Sequence, residues 1–182
     1  MTYIINENYA AYVPIANTDA GILTGDYTST GGTTYIPTPP AQLGMVVRAI
    51  DPTYGAGEFI FLKGVASTVV GSVVVYDGTT YATTLCATTA NQARPVAIAM
   101  SANATTATWG WYQIGGTAVA VKGTASIQPK VAVAVTTTAK IGNTATGKEI
   151  EGCRSANAAT LTTAITTIQL IIDRPHLQGR IT

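Results

Sequence analysis

The sequence predicts an all-β protein: a compact β-barrel-like or sandwich body of short strands, preceded by an extended N-terminal arm. Three observations predict it. Short β-branched runs recur between clusters of Gly, Asp, Asn and Thr. Within those runs the apolar residues follow a period of two, as in Val131, Val133 and Val135 against Ala132 and Ala134, or Ile168, Leu170 and Ile172 against Thr167, Gln169 and Ile171. No stretch of comparable length has the 3.6-residue period of an amphipathic helix.

Residues 1–43 read as the arm. Turn formers dominate there, among them Gly31-Gly32, Pro37 and Pro39-Pro40, so no core is being built. Tyrosines nevertheless recur at Tyr3, Tyr9, Tyr12, Tyr27 and Tyr35, with Ile4, Ile5, Val13, Ile15, Ile22 and Ile36 among them, which is too apolar for a solvated linker. The segment needs a surface to lie on: its own body, a neighbouring subunit reached by strand addition, or another protein.

Residues 44–182 read as the β-rich body. Strands are expected at about 44–50, 58–62, 72–76, 93–100, 110–114, 117–122, 130–135 and 166–173. The odd-numbered valines of the 130–135 run and the even-numbered apolar residues of the 166–173 run are the core candidates. Asp77-Gly78 and Gly115-Gly116 lie between apolar runs, where such dipeptides supply the positive φ of tight hairpin turns. Gly142-Asn143 is a weaker turn of the same kind, because 144–152 alternates poorly and makes a doubtful partner strand. The Ala-rich stretch 155–163 fits one short helix or a plain loop.

Composition excludes several classes of function. Charged residues are only 10% of the chain while hydrophobic residues reach 47%, against roughly 25% charged in an average soluble domain. Thr, Ala, Gly, Ser and Asn must therefore cover much of the exterior, leaving a surface that approaches another protein at little electrostatic cost. With 10 Lys+Arg against 9 Asp+Glu, giving +1, there is no footprint for nucleic acid or anionic lipid. The opening MTYIINENYAAYVP lacks the basic and apolar regions of a secretory signal, and no apolar run approaches the ~20 residues of a membrane-spanning helix.

Catalytic chemistry finds no footing, and neither a cofactor nor a metal is expected. His176 is the single histidine and has no nucleophile beside it in sequence, so a surface or interface role is expected. Gly55-Ala56-Gly57 is followed by a strand, with Ile60 where a phosphate-binding fingerprint needs glycine. Glu149 and Glu151 would point the same way on a strand, but no third oxygen-rich neighbour accompanies them for calcium. Cys86 and Cys153 form no CxxC motif; buried free thiols and a disulfide both remain open. Asn103-Ala104-Thr105 matches a glycosylation acceptor, and with no secretory signal expected the match is read as chance. Trp109, Trp111 and Tyr112 form the densest aromatic cluster; on a strand the tryptophans share one face and Tyr112 takes the other. Two roles stand open for them, core filling and anchoring an interface.

The runs GEFIFLKGVASTVVGSVVVYDG (57–78), RPVAIAMSANAT (94–105) and WGWYQIGGTAVAVK (109–122) resemble, in the same order, those of tailed-bacteriophage head proteins that decorate or cement capsids. The resemblance spans about 45–175 and carries no catalytic signature. It implies a β-barrel-like or β-tulip-like body, a homotrimer, seated on the outer capsid surface, with the major capsid protein as partner, and host cytoplasm as its location during assembly. The arm is longer than in the shortest members and suits a clamp. The arm tyrosines Tyr3, Tyr9, Tyr12, Tyr27 and Tyr35, with Trp109, Trp111 and Tyr112, are then the candidate interface residues. The competing expectations are a receptor-binding or baseplate component of a tail, which would ordinarily carry repeats that are missing here, and a carbohydrate-binding module stacking sugars on the tryptophans.

Overall fold

A computed structural model describes residues 4–5, 23–24, 27–28, 34–35, 41–106 and 108–180. Every regular element among them is a strand. Four two-residue strands precede the body: β1 (Ile4–Ile5), β2 (Leu23–Thr24), β3 (Tyr27–Thr28) and β4 (Thr34–Tyr35). The body holds β5 (Val46–Asp51), β6 (Gly55–Lys63), β7 (Val73–Tyr76), β8 (Thr83–Leu85), β9 (Val96–Ala99), β10 (Thr108–Val121), β11 (Ala132–Thr137), β12 (Lys140–Gly142), β13 (Glu149–Ser155) and β14 (Thr167–Leu177). One sheet, strongly curled into a half-barrel, contains all of these except the separate β3–β4 pair. Its main path runs β1-β5-β6-β10-β14-β13-β11-β12, with β9, β7 and β8 branching from β10 and β2 lying against the start of β10.

Alternation explains β5 and β14, while β6, β7, β9 and the first half of β10 are buried on both faces. β5 buries Val47, Ala49 and Asp51 and exposes Val46, Arg48 and Ile50, while β14 turns Ile168, Leu170 and Ile172 inward and Thr167, Gln169 and Ile171 outward. In the other predicted core run Val133 and Val135 are buried and Val131 half-buried. Of its intervening alanines, Ala134 is packed and Ala132 exposed. The β5–β6 turn is held by the Asp51 carboxylate, which accepts from the amides of Thr53 at 2.7 Å and Tyr54 at 2.9 Å. The turn expected at Asp77-Gly78 joins β7 to β8. There Asp77 accepts from the amides of Thr79 and Thr80 at 2.9 and 2.7 Å, and these bonds, Thr80's first, hold its carboxyl below the usual range.

The Gly115-Gly116 hairpin is corrected. β10 runs straight through both glycines as a single strand, and what they provide is a β-bulge between Gln113 and Gly115, followed by a left-handed Gly116 at φ +90. A Cβ on Gly116 would stand 2.3 Å from the Ala56 carbonyl oxygen, so close backbone approach rather than chain reversal demands glycine there. On the far side of the bulge β10 leaves β6 for β14, and this is where the sheet divides. The stretch 155–163 holds no helix; Leu161 instead bridges to Ile127. After Gly142 the chain does reach a strand, β13, but it pairs with β11 rather than returning along β12. The β11–β12 hairpin turns at Ala139, φ +59.

Three apolar clusters result. The largest, including Val75, Ile98, Val133, Leu170 and Ile172, fills the space between the β7–β9 branch and the β14–β13–β11 arc. The other two lie on opposite faces of the β6–β10 pair: Phe59, Phe61, Trp109 and Trp111 on one, Ile60, Leu62, Tyr112 and Ile114 on the other. Cys86 and Cys153 are free thiols, and burial pushes each up to about 12.

Candidate docking face

The sheet's outward surface carries side chains that a core would normally claim. Pairing places Arg48 opposite Glu58, Glu58 opposite Gly115, and Gly115 opposite Asp173, which makes one row across β5, β6, β10 and β14. The adjoining pairs Thr117–Ile171 and Val119–Gln169 continue the surface along β10 and β14, and Ile171 is also opposite Arg154 of β13. Val46, Ile50, Ile165 and Ile171 are exposed, and so are Val69 and Val70 in the β6–β7 loop; these six range from 36% to 60% accessible. Isolated exposed aliphatics need no explanation, but several on one surface form the kind of patch that proteins cover with a partner.

An open groove of about 420 Å³ crosses this surface where the sheet divides, floored by Gly57, Gly115 and Gly116 and walled by Arg48, Glu58 and Arg174. Glu58 receives both arginines, Arg48 Nη2 on Oε1 at 3.2 Å and Arg174 Nη2 on Oε2 at 3.0 Å. Both guanidinium groups are largely exposed, so the network contributes on the order of 0–1 kcal/mol per pair to stability; its effect is to fix two donor groups at the rim. Arg174 stands at φ +41 immediately before Pro175, a conformation that non-glycine and pre-proline residues both avoid. The neighbouring register shift in β13 enforces it: Gly152, at φ +71, passes so near β14 that a Cβ would stand 2.5 Å from the Asp173 carbonyl oxygen. A second groove, lined by Tyr54, Val119, Leu161 and Ile165, continues the apolar surface past the β5–β6 turn.

No family model, curated protein or solved structure matches this chain. The physical character of the surface therefore carries the functional argument: dotted with aliphatics, crossed by open grooves and carrying a small cluster of mutually paired charges.

The residues singled out in the sequence are distributed differently from this face. Trp109, Trp111 and Tyr112 are packed inside the chain at 7%, 1% and 0% exposure. The tryptophans do share one face, with Phe61 and Trp111 at 5.0 Å between ring centroids, and Tyr112 takes the other, where its hydroxyl accepts from Asn103 Nδ2 at 2.9 Å. Core filling is thus what these rings do in this chain, and neither tryptophan offers sugars an open stacking platform. Burial raises the Tyr112 phenol above its ordinary value. Tyr27 and Tyr35 are paired positions in the β3–β4 register; Tyr3, Tyr9 and Tyr12 lie outside the described residues. Asn103 is fully buried, which removes it as a glycan acceptor. Glu149 and Glu151 both lie on β13, and Glu151 Oε2 is 3.0 Å from His176 Nε2 in an exposed pair. No group of three or more metal-ligating side chains occurs among the described residues. Arg48, Glu58 and Arg174 were not singled out from sequence, because their association depends on a strand register and on a bulge that no local pattern announces.

Proposed function

We propose that this protein is a structural component of a tailed-phage virion that binds the outer capsid surface and stabilises the major capsid protein lattice, acting as a homotrimer. The observation that carries this reading is the outward sheet face, where exposed Val46, Ile50 and Ile171 accompany a glycine-floored groove in a chain with only 10% charged residues. Such a face suits broad, neutral contact with another protein, since apolar area and shape, rather than paired charges, would supply the attraction. The resemblance of 57–78, 94–105 and 109–122 to capsid decoration proteins gives that contact its partner. Each copy would bury modest area, and symmetry would repeat one contact many times over the shell, so reinforcement against internal DNA pressure is additive.

The test compares two measurements: the mass of the purified protein in solution by light scattering, and its copy number relative to the major capsid protein in purified particles. Hundreds of copies with a trimeric mass support decoration. A few copies per particle would place the protein in the tail instead, and absence from particles would overturn the virion reading.

A further inference from the structure

We infer that the Tyr81 ring latches the start of β5 onto β6, so that this end of the strand opens only when the ring swings off Gly44. The inference does not depend on the capsid reading. Gly44 stands at φ +81. Its amide donates to the Phe61 carbonyl at 2.8 Å, and the Phe61 amide donates to the Met45 carbonyl at 2.9 Å. Two residues thus oppose one, with a left-handed glycine first, which makes a β-bulge where the chain enters β5. A Cβ added to Gly44 would fall among Cζ, Cε1 and Cε2 of Tyr81, so the ring lies directly against the bulge.

The ring is held there by its own backbone. The Tyr81 amide donates to the Asp77 carbonyl at 2.9 Å, and the Tyr81 carbonyl accepts from the amide of Lys63, the last residue of β6, at 3.1 Å. Thr83 Oγ1 donates to the Lys63 carbonyl at 2.7 Å, which fastens the same loop to the same strand. Tyr81 itself stands at φ +55, a conformation that side chains disfavour and that surrounding contacts must maintain. It also packs against the cluster of Ile60, Leu62 and Tyr112. On the other edge of β5, the pairs among the described residues are those of Ile4 and Ile5 with Ile50 and Ala49, at the opposite end of the strand from Gly44. An edge strand secured at one end frays from the other, and a frayed edge offers unpaired backbone groups to other chains. Tyr81 secures the second end.

The measurement is amide hydrogen exchange, resolved by residue, on the full-length chain and its Tyr81→Ala and Tyr81→Phe variants. The Gly44 and Phe61 amides report on the latch. The Val121 and Ser155 amides, bonded to the Gly71 and Val131 carbonyls, are remote controls. Tyr81→Ala should exchange about tenfold faster at Gly44 and Phe61 with the controls unchanged, and Tyr81→Phe should match the parent, because ring carbons make the contact. Where Tyr81→Ala does not fold, Tyr81→Leu is read in its place. Unchanged exchange at Gly44 and Phe61 would overturn the inference. So would equal acceleration at the controls, which would make Tyr81 an ordinary packing residue, or a Tyr81→Phe variant as fast as Tyr81→Ala, which would assign the effect to the hydroxyl.

Discussion

Replacing Gly116 with alanine tests the bulge at which the sheet divides. Gly116 sits at φ +90, where an L side chain costs about 1–2 kcal/mol. Its new Cβ would also fall 2.3 Å from the Ala56 carbonyl oxygen and 3.0 Å from the Gly57 Cα, both of them backbone atoms that move only if β6 moves. Separating the strands there sacrifices about one ladder hydrogen bond, net about 1 kcal/mol. The expected destabilisation is therefore roughly 2–4 kcal/mol. Gly115→Ala is the internal control: Gly115 is not among the positive-φ residues, and its Cβ would meet the Glu58 Cβ at 3.2 Å, a contact relieved by a movement of a few tenths of an ångström. Its cost should stay below about 1 kcal/mol. Urea denaturation followed by tryptophan emission measures both. Under a two-residue hairpin turn with positive φ at both positions the two substitutions would be comparably damaging. Equal effects would refute the bulged-strand account, as would a Gly116→Ala variant as stable as the parent.

Four further outcomes are expected. Leu170→Ala, at a fully buried position, should cost about 2–5 kcal/mol in the same denaturation assay, whereas its exposed neighbour Ile171→Ser should stay within about 0.5 kcal/mol and instead weaken particle attachment in a co-sedimentation assay. Because burial raises the Cys86 and Cys153 thiols from 9.0 to about 12, both should alkylate slowly in the native state, the fully buried Cys86 more slowly than the half-buried Cys153, and react readily in urea. The same shifts mean that the folded state keeps protons that the unfolded state loses above pH 9, so stability present below pH 9 should decline as pH rises toward about 12, measured by thermal melts across that window. On the capsid reading, attachment to particles should depend only weakly on salt, since the charges of that face already pair with one another through Glu58; release at moderate salt would point to the exposed Arg48 and Arg174 as the source of affinity.

How legible the fold was depended on which force shaped each segment. β5 and β14 bury one face and were visible as alternation. β6, β7 and β9 are buried on both faces, as is the middle of β11, and these were visible as short β-branched or apolar runs between turn formers. The opposite facing of Trp111 and Tyr112 followed from strand geometry. β13 was not visible: EIEGCRS buries mainly Ile150 and Ser155, is interrupted by the bulge at Gly152, and otherwise carries charges outward. β8 and β12, at three residues each, are too short for any period to register. The two glycines in β10 misled for a physical reason, since a tight turn and a close strand approach both select the residue without a Cβ. The docking face was legible only in aggregate, as a shortage of charge, because which aliphatics point outward is decided by register.

The strand that both arms of the sheet share also governs the order of events during folding. β10 finds only β9 close by in the chain; the two partners that make it common to both arms are distant, β6 some fifty positions before it and β14 a similar interval after it, as the pairs Trp111–Phe61 and Gly115–Asp173 show. Neither arm is complete until β10 is seated, and closing loops of that size before any reward accrues slows the search. Nascent copies should therefore pass through a stage in which the β5–β6 hairpin is formed and its aromatic surface still lacks a third strand, making yield sensitive to temperature and expression rate long before the finished protein shows any weakness.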